Sequence, residues 1–156
     1  MLEINHIKEE GEEMNTIRQL FREYEKELNE NLCFQDFETE VKEPLKKYGP
    51  LSGDLLIAYW NHEAAGCIAL TKMNESGVCE MKRLYVKPEF RKYKIGKKLV
   101  ETLLDAAVEK GYTTMRLDTL KKLQPAIKLY ENYGFKNCSP YYHNPLPGVV
   151  FMEKTL

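Results

Sequence analysis

Residues 91–98 read RKYKIGKK, and five of the eight are Lys or Arg. The single glycine, Gly96, stands where an apolar helical pattern begins. A helix starting there leaves its first N–H groups without partners, and its dipole places partial positive charge at that end. Basic side chains crowded at such an end are unfavourable unless an anion joins them. A glycine at the same point lets an anion approach the backbone closely. The chemistry this favours is binding of a phosphate or pyrophosphate. A solvated basic helix face, a localisation tag and a nucleic-acid patch are the alternatives. The stretch has neither the GxxxxGK[ST] form of a P-loop nor the GxGxxG form of a dinucleotide loop.

The other reactive residue types give less. Cys33, Cys67, Cys79 and Cys138 form no CxxC pair and have no His at metal-ligand spacing. No metal is therefore expected, and no cysteine acyl-enzyme. Cys67 and Cys79 fall inside strand-like runs and read as small core residues. The 156 residues carry a formal net charge of -1. A dedicated DNA- or RNA-binding domain is usually basic overall, so no nucleic-acid partner is expected. The N-terminal MLEINHIKEE is charged where a secretory leader is apolar, and no run approaches the ~20 apolar residues of a membrane span. A cytoplasmic protein of one domain, residues 1–156, with no membrane partner is the expectation.

These residues need elements to position them. LEINHI reads as a strand. Residues 11–28 repeat Met14, Ile17, Leu20, Phe21, Tyr24 and Leu28 at helical spacing. A weaker helix is expected over Phe37–Leu45, ended by YGPLSGD. DLLIAYW, EAAGCIALTKM and VCEMKRLYV then read as an antiparallel meander of three strands, with turns at Asn61-His62 and Asn74–Gly77. Pro88 closes the third strand. Ile95, Leu99, Leu103 and Ala106 form one helical stripe that Gly111 ends. TTMRLDTL is a strand, LQPAIKLYENYGF a helix, and KNCSPYY and GVVFMEK two final strands. The fold class is α/β with α+β character: a mixed, mostly antiparallel twisted sheet flanked by helices. The strand–helix–strand piece over 78–119 predicts a parallel pair, with the basic loop at the carboxyl end of its first strand.

CEMKRLYVKPEFRKYKIGKKLVETLL resembles the acetyl-CoA motif of the GCN5-related N-acetyltransferase (GNAT) superfamily. That motif is Arg or Gln, two residues, Gly, one residue, then Gly or Ala. It falls on Arg91, Lys94 and Gly96, with Lys94 in place of the usual Gly. PAIKLYENYGF resembles the second family signature, with Leu123 where many members carry Asn. The resemblance covers residues 54–155 well and the N-terminal helices loosely. It implies a GNAT-like fold and an acetyl-CoA-dependent N-acetyltransferase that transfers directly to an amine.

The resemblance also implies a site. Backbone N–H groups across Arg91, Lys92, Tyr93, Lys94, Ile95 and Gly96, with Lys97 and Lys98 adding charge, would hold the CoA pyrophosphate. Leu84, Tyr85 and Val86 would pair with the pantetheine arm like a neighbouring strand, and the Tyr85 N–H would serve as oxyanion donor. Glu80 is the candidate base, with a strand glutamate paired to a lysine as the alternative. Tyr130 is the candidate acid, with a core-edge aromatic as the alternative. Asp118 and Thr119 would lie opposite the acyl group, and Tyr141, Tyr142 and Asn144 would line the acceptor side. The expected acceptor is a primary amine of a small molecule or amino acid. A protein lysine or N-terminus, and a non-catalytic CoA-binding module, are the other readings. A homodimer is left open.

Overall fold

The structure is a computed structural model that describes residues 1–156. Seven strands form one sheet: β1 Leu2–His6, β2 Asp54–Trp60, β3 Glu63–Lys72, β4 Val78–Val86, β5 Thr114–Leu120, β6 Lys136–Asn137 and β7 Val149–Thr155. Their order is β1-β2-β3-β4-β5-β7-β6, and every neighbouring pair is antiparallel except β4 and β5. Five helices flank the sheet: α1 Glu12–Leu28, α2 Phe37–Lys42, α3 Pro44–Tyr48, α4 Ile95–Glu109 and α5 Gln124–Asn132. The fold is the mixed, mostly antiparallel α/β sheet that the sequence predicts.

The period-2 alternation of the central strands divides the core into two layers. Leu56, Ile68, Cys79 and Met81 pack with Ile95, Leu99, Leu103 and Ala107 of α4 and with Tyr130 of α5. Leu55, Ile57, Cys67 and Tyr85 pack on the other face, with Met14, Ile17 and Phe21 of α1, Phe37 and Val41 of α2, and Tyr48 of α3. Each fully buried Leu or Ile contributes about 2 kcal/mol, and these layers hold the sheet while one of its seams stays open. Gly66 permits the close β3–β4 approach, because a Cβ there would meet the Tyr85 carbonyl oxygen at 2.5 Å.

That seam is the β4–β5 pair. It runs parallel for three residues only, Val78–Glu80 against Thr114–Arg116. Beyond Glu80 the strands part, while β5 continues along β7 to Leu120. The parting begins beside a β-bulge. Lys82 pairs with Ala69 and Tyr85 with Cys67, so Ile68 alone opposes Arg83 and Leu84. Arg83 has φ 61, a left-handed conformation costing about 1–2 kcal/mol for a residue with a side chain. The bulge turns Lys82 and Arg83 toward the same side of the sheet.

Three local expectations are corrected. The helix over Phe37–Leu45 is two short helices, because Pro44 forces Glu43 out of helical geometry, to φ -136 and ψ 72. The strand over KNCSPYY shrinks to Lys136–Asn137. Cys138 still donates its N–H to the Phe151 carbonyl at 2.9 Å, but Pro140 has no N–H for a ladder, and the chain from there to residue 148 leaves the sheet as a loop. The segment before α4 holds a 3-10 helix, Pro88–Tyr93, where a plain loop was expected. No helix is long and apolar enough to cross a membrane.

Candidate active site

Where β4 and β5 part, a cleft of about 470 Å³ opens. Leu84, Tyr85 and Val86 line one wall, Leu123, Pro125, Ala126 and Leu129 the other, and Arg91, Lys94, Gly96 and Lys97 its far end. Lys98 donates the first helical bond of α4, to the Lys94 carbonyl at 3.3 Å. The N–H groups of Ile95, Gly96 and Lys97 precede it and have no intrahelical acceptor. Cationic side chains therefore surround a helix start whose amides are available to an anion. The fit to a pyrophosphate is good.

Lys94 has φ 59 and ψ 30, in the left-handed region. The position requires the conformation that a glycine adopts freely, and Lys adopts it at a cost of about 1 kcal/mol. Helix α4 starts here because this left-handed residue turns the chain from the 3-10 helix into the α-helical path.

The basic run is not all cleft. Ile95 is wholly buried beneath α4. The Tyr93 ring stacks on Trp60 with centroids 4.2 Å apart, and the Lys92 ammonium lies over the same tyrosine. Lys98 lies 3.9 Å from Glu101 along the helix. The cleft lining leaves out the side chains of Lys92, Tyr93, Ile95 and Lys98, so what these residues offer an anion there is their main chain. Arg91 lines it while donating Nε to the Val86 carbonyl at 2.9 Å and pairing Nη2 with Glu27 at 2.6 and 2.5 Å.

The backbone of β4 also corrects one expectation. Lys87 donates its N–H to the Ala65 carbonyl, which makes that pair a hydrogen-bonded one. In an antiparallel ladder such pairs recur every second residue, so Tyr85 exchanges bonds with Cys67. The Tyr85 N–H faces β3. The N–H groups turned toward the cleft are those of Leu84 and Val86.

A second, inner pocket of about 60 Å³ adjoins the cleft and shares Tyr24, Leu28, Leu84, Leu123 and Ala126 with it. Lys82, Asp118, Thr119, Tyr130, Asn144 and Gln35 give it polar edges. Lys82 and Asp118 are both nearly sealed from solvent, and the Lys82 Nζ lies 4.0 Å from Asp118 Oδ1 and 3.7 Å from Glu80 Oε2. Tyr130 is buried, with its ring edge-on to Phe135. Burial above all, then Tyr24 and Asp118 nearby, push its phenol above the usual 10.

The loop over 138–148 straps this pocket. Tyr141 donates its hydroxyl to Glu80 at 2.7 Å, and Tyr142 donates its own to Asp118. Asn144 donates to the same Asp118 oxygen at 2.7 Å. Glu80 and Asp118, two positions of different strands, are thus each held by a loop tyrosine. Glu80, Tyr141 and Tyr142 line neither space, while Asp118 and Asn144 edge the inner pocket. Thr119 edges the inner pocket beside Asp118.

Sequence reasoning missed four contributors: Gln35, Glu40, Lys82 and Arg83. Arg83 donates Nε and Nη2 to the Glu40 carboxylate at 2.7 and 2.9 Å, with the Tyr24 and Phe37 rings beside its guanidinium. The polar dyad Lys82-Arg83 inside an otherwise apolar strand was the available signal. No cysteine lines either space, and burial pushes the Cys79 thiol up to about 12 and Cys67 higher still. No three His, Cys, Asp or Glu side chains gather into a metal-binding group.

Comparison with known proteins agrees with this geometry. Residues 14–135 match the Acetyltransferase (GNAT) family. The chain is 44% identical over 143 residues to an uncharacterized N-acetyltransferase of Schizosaccharomyces pombe, covering 91% of this chain and 88% of that protein. An acetyltransferase from Streptococcus agalactiae superposes with a TM-score of 0.82 at 23% identity, over 99% of this chain and 98% of that one. An N-acetyltransferase from Thermoplasma acidophilum, solved in complex with coenzyme A, superposes with a TM-score of 0.73 at 22% identity, over 100% and 99%. At those identities the two structures establish the fold.

Proposed function

The chain belongs to the acetyltransferase (GNAT) family and is an acetyl-CoA-dependent N-acetyltransferase; from that premise we propose that it transfers the acetyl group directly to a primary amine of a small molecule or amino acid. The observation that carries this reading is the joining of two spaces at the open β4–β5 seam. A long cleft ends at the α4 start, and a small polar pocket opens off its other end. The pocket is enclosed by the 138–148 loop and Gln35, which suits a compact acceptor better than a protein surface.

Bound acetyl-CoA supplies an activated thioester. The amides of Ile95, Gly96 and Lys97, with the charges of Arg91, Lys94 and Lys97, hold its pyrophosphate. The cleft-facing main chain of Leu84 and Val86 orients the pantetheine arm as an added strand would. Only a neutral amine attacks, so a proton must leave the acceptor's ammonium. Glu80 takes it, directly or through a water, and Tyr141 keeps the carboxylate aimed. Tyr130 returns a proton to the departing thiolate, since its raised pKa keeps the phenol protonated at neutral pH. All 156 residues serve as one catalytic domain, and four free cysteines suit a reducing, cytoplasmic setting.

The test is release of CoA thiol from acetyl-CoA against a broad library of small amines, amino acids and lysine peptides. Turnover confined to small acceptors supports the reading. Turnover confined to peptides assigns a protein acceptor, and binding of acetyl-CoA without turnover across the whole library assigns a non-catalytic module.

A further inference from the structure

Resting on that small-acceptor reading, the geometry points to an amino acid as the acceptor, its ammonium seated between Gln35 and Asp118 and its carboxylate on Lys82. Three polar atoms of the inner pocket make no hydrogen bond, and they are complementary to those two charges.

The first is Gln35. Its Oε1 is fully enclosed and accepts no hydrogen bond. Its orientation is fixed by the network around it. Tyr142 spends its only proton on Asp118, so the Tyr142 oxygen must accept from its neighbours. Gln35 Nε2 donates to it at 2.8 Å and Asn144 Nδ2 at 3.1 Å. Turning the Gln35 amide over would set two acceptors against each other, so Oε1 stays the free end. A buried carbonyl oxygen without a donor is costly, and a ligand's N–H removes that cost.

The second is Asp118. Its Oδ2 accepts from Tyr142 and Asn144, while Oδ1 accepts no hydrogen bond. The third is Lys82. Its side chain is 5% exposed, and its Nζ makes no hydrogen bond, the nearest carboxylate oxygens being 3.7 and 4.0 Å away. Two acceptors and one triple donor without hydrogen bonds therefore share one pocket, Lys82 being held only by ion pairs of 3.7 Å to Glu80 and 4.0 Å to Asp118.

The 4.0 Å between Lys82 Nζ and Asp118 Oδ1 matches an ammonium and a carboxylate carried on neighbouring carbons. The pocket's 60 Å³ is the space of about four or five waters, enough for the head group of an amino acid. A simple amine would set a second ammonium near Lys82, with the two cations sharing Asp118. An amino acid satisfies all three groups and leaves the pocket's charge unchanged. Arg83 is neutralised by Glu40 and is not free to take the carboxylate. Lys47, a third exposed, lies on Glu40 outside the pocket lining.

The test uses amino acids paired with their decarboxylated amines: alanine with ethylamine, leucine with isopentylamine, phenylalanine with phenethylamine. In the best pair, kcat/KM for the acid should exceed that for the amine at least about tenfold. Lys82→Met should bring that ratio near one with KM for acetyl-CoA unchanged. Gln35→Met should raise KM about tenfold for both members of the pair. Amines equal to or better than their acids in the wild-type enzyme overturn the assignment without need of any variant. So does a ratio that survives in a folded Lys82→Met. Turnover of lysine peptides with none for either member of any pair overturns the small-acceptor reading itself, and this assignment with it.

Discussion

Arg83, left-handed at the bulge of β4, is clamped by Glu40 of α2 through two hydrogen bonds of 2.7 and 2.9 Å, with both side chains 2% exposed. The clamp ties the helices on one face of the sheet to the point where β4 leaves β5. Removing one partner of such a pair strands a buried charge, which costs about 3–5 kcal/mol. Glu40→Gln should therefore lower the urea midpoint substantially. Replacing both residues by Met should recover much of the loss, because two apolar groups leave no charge unpaired. A Glu40→Gln protein as stable as wild type would refute the clamp.

The same carboxylate sets an acid limit. Burial pushes Glu40 up, but the Arg83 hydrogen bonds and charge, with Lys47 adding to them, bring it below its usual 4.5. The native state then binds fewer protons than the unfolded chain in the window below that value. The pair's contribution is present above about pH 4.5 and is lost as pH falls through the depressed folded pKa. Denaturation of wild type and Glu40→Gln at descending pH should show their stabilities converging on the acid side. Parallel curves down to pH 3 would exclude Glu40 as the titrating group.

Much of this was legible in the residues. The stripes of α1 and α4 and the turns between β2, β3 and β4 follow from periodicity and turn chemistry. RKYKIGKK marked the helix start because its composition contradicts the helix dipole unless an anion binds. The inner pocket was less legible, for a physical reason. Strict alternation along VCEMKRLYV sends Lys82 and Arg83 to opposite faces, and only the bulge puts them together. No local sequence signal fixes a bulge that is held by a partner 43 positions away. Gln35 and Tyr142, 107 positions apart, meet only because Pro140 frees the late loop from the sheet.

Lys94 separates strain from charge at the helix start. Lys94→Gly removes the left-handed penalty of about 1 kcal/mol but adds a comparable backbone entropy cost in the unfolded chain, so its stability should stay within about 0.5 kcal/mol of wild type. Lys94→Ala keeps the strain and loses only the ammonium. Both should raise KM for acetyl-CoA by a similar factor of about three to five, the worth of one exposed charge contact. A rise in Ala alone would show that loop geometry, and not the ammonium, serves the cofactor.

Tyr130→Phe tests the proton donor. The ring keeps its packing against Phe135, so the fold and the acetyl-CoA affinity should hold. Turnover should fall about a hundredfold. Because burial raises the phenol above 10, it remains protonated through the alkaline range, and the wild-type pH–rate profile should show no falling limb from this residue below pH 10. Unchanged turnover in Tyr130→Phe removes it as the acid.

Glu80 is separable from its surroundings because Tyr141 can donate to an amide oxygen as well as to a carboxylate. Glu80→Gln should keep the loop in place and the thermal shift by acetyl-CoA intact. It should lose about a hundredfold in kcat/KM near pH 7, where the acceptor is almost wholly an ammonium and needs a base. Between about pH 7 and pH 10 the free amine grows tenfold per unit until the acceptor's own pKa, and the variant's activity should climb with it toward wild type. That recovery distinguishes proton removal from positioning. A loss of constant size at every pH would mean that Glu80 holds Tyr141 and the pocket wall, and that the proton leaves by another route.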